Sequence, residues 1–184
     1  MPLSGSLPDF ERVLHHELVH VFTFDLIARV LERHGIHDFR PAPLWFTEGL
    51  AEYWSSEWST FGDMILRDAL FSRRLASIAQ MHFIYGTFQM YKEGESICHF
   101  MADRYGEDVF EQLFQNWWRA EEFEDVFLLT TGETLAAFDE AWLYSLRKRY
   151  LPDIAQSDLP SKMASVRTGA VSYTHLTLPT NREV

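Results

Sequence analysis

The stretch His16-Glu17-Leu18-Val19-His20 constrains this chain more than any other. Two histidines four apart meet only on a helix, where they project from one face about one turn from each other. There both imidazoles can reach one tetrahedral Zn²⁺, and the glutamate beside the first can reach the water that such a metal activates. A metal site of this kind needs a third protein ligand. Chance supplies the five-residue pattern in about 3% of chains of this composition. The pattern therefore gains weight only if the fold returns a second ligand-bearing element to this helix.

Local signals agree with a helix here. Ser6-Leu7-Pro8-Asp9 has the form of a capping box, with a proline in the first turn and an acid at the third position. Val13, Leu14, Leu18, Val21, Phe22, Ile27, Val30 and Leu31 carry an apolar stripe up to Gly35, a C-terminal stop. The histidine face continues into apolar residues, which predicts that it points inward. Burying two histidines beside a carboxylate requires a partner for each polar group, and a metal supplies one. The plainer reading is a helix with two partly exposed histidines.

The rest of the chain also reads as helices. They are expected at Leu44–Trp54, Phe61–Ile78, Phe88–Tyr105 ended by Gly106, Asp108–Trp118, Phe123–Leu129, and Thr134–Tyr150 closed by Leu151-Pro152. No alternating pattern within 9–150 supports a sheet, so the fold class is mainly α. The 184 residues suit one domain. The 15 Phe, 7 Tyr and 6 Trp fall largely at helical spacing and read as core. A net charge of −11 argues against nucleic acid as a partner, because phosphate neutralisation needs a basic face. Cys98 is the single cysteine, which excludes an intrachain disulfide and a cysteine zinc cage.

No run approaches the ~20 apolar residues of a membrane span. Met1–Pro8 has neither the basic segment nor the apolar core of a signal peptide, and the compartment stays open. The expected organisation is a lead over 1–8, a helical domain over 9–152, a linker over 153–170 and a tail over 171–184. That tail, VSYTHLTLPTNREV, resembles translated sequencing adapter and is read as non-native, the alternative being a natural β-prone segment. His175 within it is given no role.

The third ligand is offered by Trp45-Phe46-Thr47-Glu48-Gly49-Leu50-Ala51-Glu52-Tyr53. Glu48 and Glu52 are four apart and share a helix face. One can bind the metal while the other accepts a hydrogen bond from a ligating histidine. Spacing does not rank them, and without HELVH upstream they would read as a solvated acidic face. Reach is sufficient. A helix running to His34 ends about 21 Å beyond His20, and the residues from Gly35 to Pro43 can span up to about 30 Å.

HELVH followed by WFTEGLAEY resembles the gluzincin branch of the zinc metallopeptidases, and most closely the bacterial peptidase MA-like domains, some of which precede a TolB-type β-propeller. The resemblance covers roughly 9–150. The positions that hold Gly and His in metzincins hold Thr23 and Leu26 here, and the spacing from His20 to Glu48 exceeds that of the thermolysin-like group. The resemblance implies a zincin-like helical domain whose HExxH helix packs on a second ligand-bearing helix, with an N-terminal sheet lying outside this chain. It implies Zn²⁺ held by His16, His20 and Glu48, with Glu52 supporting a histidine and Glu17 as general base. It also implies a peptide or protein substrate, with export and a C-terminal propeller in a longer protein. The stretch YKEGESICHFMADRYGEDVF resembles the helix that follows the zinc site in such domains. Tyr91 then matches the tyrosine that stabilises the oxyanion, with Tyr85 as the competitor and an ordinary core or surface tyrosine as the plainer reading.

The other polar residues read more simply. His15 points about 100° away from His16. His34 and His37 flank a loop and are stand-in ligands at most; His82 and His99 have no motif support. Arg147-Lys148-Arg149 suits a solvated helix end. Two rivals remain: an inactive zinc-binding helical module that mediates protein interaction, and a helical interaction domain with an accidental motif. Glu17 speaks against the first, since a structural site has no use for a base there. The Glu48/Glu52 pair speaks against the second.

Overall fold

The first helix begins where its capping chemistry places it. The Ser6 hydroxyl accepts from the Asp9 amide, the Asp9 carboxylate accepts from the Ser6 amide, and Pro8 fills the first turn. A computed structural model describes residues 6–156 of the chain, with side chains through Pro152. The lead before Ser6, the linker from 157 on and the tail 171–184 with His175 lie outside the described residues.

Among the described residues the protein is mainly helical, without a strand. It comprises α1 (Leu7–Arg33), α2 (Leu44–Ser55), α3 (Thr60–Phe71), α4 (Phe88–Tyr105), α5 (Asp108–Gln115), α6 (Phe123–Thr131) and α7 (Leu135–Gln156), with 3-10 turns at Ile78–Ile84 and Trp117–Arg119. The packed body ends at Tyr150. No described helix is long and apolar enough to cross a membrane.

The centre of the fold is the α2–α4 pair, the most extensive helix contact, with α1 laid against α2. Two glycines permit the close crossing. A Cβ added at Gly49 would lie 2.3 Å from the Gly94 carbonyl carbon, and one added at Gly94 would lie 2.3 Å from the Trp45 oxygen. The backbones touch, so no larger residue fits at either place. Around this pair Phe46, Phe110, Phe114, Phe127, Phe138 and Trp142 form a fully buried aromatic core. The expected aromatic packing is thus realised, although Phe10, Phe22, Phe83 and Phe88 are exposed.

Four details differ from the sequence expectation. First, the α1 stripe is two faces. Ile27, Val30 and Leu31 are buried, whereas Val13, Leu14, Leu18, Val21 and Phe22 are exposed. Leu18 lies about 200° round the helix from His16, so histidines turned inward must turn Leu18 outward. Second, the helix expected over Phe61–Ile78 ends at Phe71. Arg73 takes a left-handed conformation (φ 57°), and the Arg74 and Leu75 amides both turn back to the Ala69 carbonyl. Third, the helix expected to reach Trp118 stops at Gln115, and a 3-10 turn carries Trp117 into the core. Fourth, Leu151-Pro152 is not a stop: α7 continues to Gln156 with Pro152 inside it, forgoing a backbone hydrogen bond there.

Candidate metal centre

With α1 against α2, His16 and His20 face Glu48. His16 Nε2 lies 3.2 Å from Glu48 Oε2, His20 Nε2 lies 3.3 Å from the same oxygen, and the two nitrogens are 3.2 Å apart. All three side chains are partly buried. A tetrahedral site with bonds of about 2.0–2.1 Å sets its ligand atoms about 3.3–3.4 Å apart. The triangle formed by these three donors matches one face of such a tetrahedron. The donor set of two imidazoles and one carboxylate is also a set that Zn²⁺ takes.

Glu52, one turn after Glu48, occupies the other side of His16. Its Oε1 stands 3.2 Å from His16 Nδ1 and its Oε2 accepts from Lys92 Nζ at 2.5 Å. Lys92 also donates to Glu95 Oε2 at 2.8 Å. A proton on Nδ1, facing Glu52, would leave the Nε2 lone pair of a neutral His16 turned toward Glu48 and His20. The structure therefore gives the two acids different places: Glu48 touches both histidines at Nε2, and Glu52 touches only the far nitrogen of His16.

Electrostatics follow from this crowding. Hydrogen bonds to Glu48 and then Glu52 push His16 up to about 9, against the opposing effect of burial. Burial alone would raise Glu48, but the hydrogen bonds from His16 and His20 bring it down to about 2. Burial is likewise overcome at Glu52 by His16 and Lys92, again to about 2. Donor atoms this close repel unless a cation sits among them. A proton on His16 meets that need in one way, and a divalent metal meets it with three bonds.

Tyr91, from α4, lies over the cluster. Its ring stacks on His16 with centroids 6.3 Å apart and planes at 20°. Its hydroxyl is held above the usual phenol range by burial and by the nearby charges of Glu48, Glu52 and Glu17. Tyr85 is far more exposed, at 66%, and lines a different groove with Glu122, Asp139 and Glu140. Glu17 is exposed on α1 and lines the wall of a pocket of about 600 Å³ together with His16, Glu52, Tyr91, Lys92, Phe61 and Phe88. The cluster thus borders, through His16, a cavity of the size that ligands occupy.

The other described histidines stay apart from it. His15 and His37 are exposed. His34 stacks on Trp118 at 3.9 Å, and His82 pairs with the Ala79 carbonyl. His99 packs edge-on to Tyr53 and Trp58.

Sequence reasoning missed Lys92 and Glu95. A signal was available: Lys92 and Glu95 share one face of their helix and Glu93 points about 100° away from Lys92, so the three cannot all reach solvent if that helix is central. It also missed why a glycine follows Glu48, which is the crossing with Gly94. Comparisons with family models, with curated proteins and with solved structures found no match to this chain.

Proposed function

We propose that this chain is a zinc-dependent peptidase of gluzincin type, with His16, His20 and Glu48 as the metal ligands. The observation that carries the reading is the triangle of 3.2–3.3 Å between three donor atoms, beside an open pocket that also holds a free carboxylate. The zincin-like arrangement, the peptide substrate and the likeness to peptidase MA-like domains belong to the same proposal and rest on the HELVH and WFTEGLAEY segments.

When bound, Zn²⁺ supplies Lewis acidity that polarises a carbonyl and lowers the pKa of a water. The chain's own groups do the rest. Glu17 takes the proton of the attacking water as its oxygen bonds to the carbonyl carbon, and then passes that proton to the amine as the C–N bond breaks. Tyr91, whose hydroxyl stays protonated, donates to the oxygen on which negative charge develops. Glu52 keeps His16 in the tautomer that leaves Nε2 free to ligate.

The test is Glu17→Gln in a preparation whose wild type digests a peptide library. The amide keeps the shape of the side chain but cannot take a proton. We expect zinc content to be unchanged and hydrolysis to fall by about 10²–10⁴-fold. A fully active Glu17→Gln enzyme would remove this mechanism. A protein that binds zinc but cleaves no peptide would instead be the inactive zinc-binding module. In the same assay Tyr91→Phe is expected to keep zinc and lose on the order of 10²-fold in rate; an unchanged rate would remove the tyrosine alone.

A further inference from the structure

The carboxylate that orients His16 is itself held in place. From His16 Nδ1 a buried row runs through Glu52 (3.2 Å), then Lys92 (2.5 Å from Glu52 Oε2), to Glu95 (2.8 Å from Lys92 Nζ). Lys92 is 9% exposed and Glu95 is 0% exposed. We propose that Lys92, anchored by Glu95, is a positioning residue for the metal centre, acting on His16 through Glu52. The inference rests on the zinc reading above and extends it to a residue outside both motifs.

The geometry supports this in three ways. A glutamate's terminal torsion is broad, so a carboxylate fixed through one oxygen can still swing. With Oε2 tied to a buried ammonium, the direction of Oε1 toward His16 is set. Next, the Gly49–Gly94 contact fixes the two helices against each other, and that registers Lys92, two residues before Gly94, on Glu52, three residues after Gly49. Finally, Glu95 shares Lys92's helix face at i, i+3, and its Oε1 has no partner among the described residues. Its polar contact there is the one with Lys92. Among the described residues the side-chain hydrogen bonds of Lys92 and Glu95 all lie within this row, so the group they hold is Glu52.

Lys92→Met alone would strand two buried carboxylates and could unfold the protein. The informative variant is Lys92→Met/Glu95→Gln, which removes one buried charge of each sign. Zinc affinity is measured by competition with a chelator at neutral pH, alongside circular dichroism. We expect a folded protein whose zinc affinity falls by roughly 10–100-fold, as does that of Glu52→Gln. We expect the triple variant Glu52→Gln/Lys92→Met/Glu95→Gln to bind no more weakly than Glu52→Gln alone, because Lys92 acts through that residue. Lys92→Arg, which keeps the cation, should stay closer to wild type than the neutral variant. Wild-type affinity in Lys92→Met/Glu95→Gln overturns the inference while leaving the zinc reading intact. So do losses that simply add in the triple variant. A wild-type protein that binds no zinc overturns both.

Discussion

Two groups of buried carboxylates hang on opposite sides of α4, and they behave differently. On one side Glu52 and Glu95 share Lys92, and Glu52 faces His16; Glu52 lies at about 2. On the other side Glu93 accepts from the Ala76 amide and from Gln89, and Asp139 accepts from the Ile78 amide. No cation faces that second pair among the described contacts. Burial pushes Glu93 up to about 7 and raises Asp139 as well. Neutral donors alone do not offset the loss of water around Glu93 and Asp139, and Lys92 alone does not offset it at Glu95, which burial also raises; an ammonium and an imidazole together do at Glu52. A buried acid is thus not by itself the mark of a site. Glu93 and Asp139 tie the Ala76–Ile78 segment to α4 and α7, while Glu52 is charged and aimed at a histidine.

The largest effect that could break this contrast is in metal content. Wild type should carry about one Zn²⁺ per chain, and His16→Ala, His20→Ala or Glu48→Ala should each lose it. Glu93→Gln and Asp139→Asn should keep it, by elemental analysis of the purified proteins. Zinc retained in His20→Ala, or lost in Glu93→Gln, would show that the two sides are assigned wrongly.

A second test strikes the helix pair that separates the two groups. Gly94→Ala sets a methyl group against the Trp45 carbonyl and should cost about 3 kcal/mol or more, with a matching fall in Tm. A variant as stable as wild type would mean that α2 and α4 are not in backbone contact.

The smallest effect sharpens the comparison through pH. Glu93 is raised in the folded protein from 4.5 to about 7. A raised folded pKa gives a contribution to stability that is full below the unfolded value and is lost as pH climbs through the folded one. Wild type should therefore lose stability between about pH 4.5 and 7, and Glu93→Gln should lose less. At pH 8 the variant is expected to be more stable by on the order of 2 kcal/mol in urea unfolding. A variant that is less stable than wild type at both pH 5 and pH 8 would show that the carboxylate is properly compensated.

Much of this was legible in the sequence, for local reasons. The Ser6–Asp9 box starts α1, Gly106 ends α4, and the i, i+4 pairs His16/His20 and Glu48/Glu52 announce shared faces. What stayed hidden depends on contacts distant in sequence. Arg73 stops α3 with a left-handed turn that nothing about an arginine announces. Lys92 looks like a surface residue until α4 is known to be central. The apolar stripe of α1 looked single because periodicity cannot say which of two faces the body covers.

That last feature has a consequence for how firmly the cluster is held. The N-terminal half of α1 leaves Leu7, Phe10, Leu14, Leu18 and Phe22 largely in water, whereas α2 and α4 are locked backbone to backbone. Amide protons should report the difference, with those near Leu50 and Ile97 exchanging only on global unfolding and those around Leu14 exchanging through local fraying. The two histidines ride on the softer element and Glu48 on the harder one. The lifetime of the assembled triangle is then set by how often the first turns of α1 open.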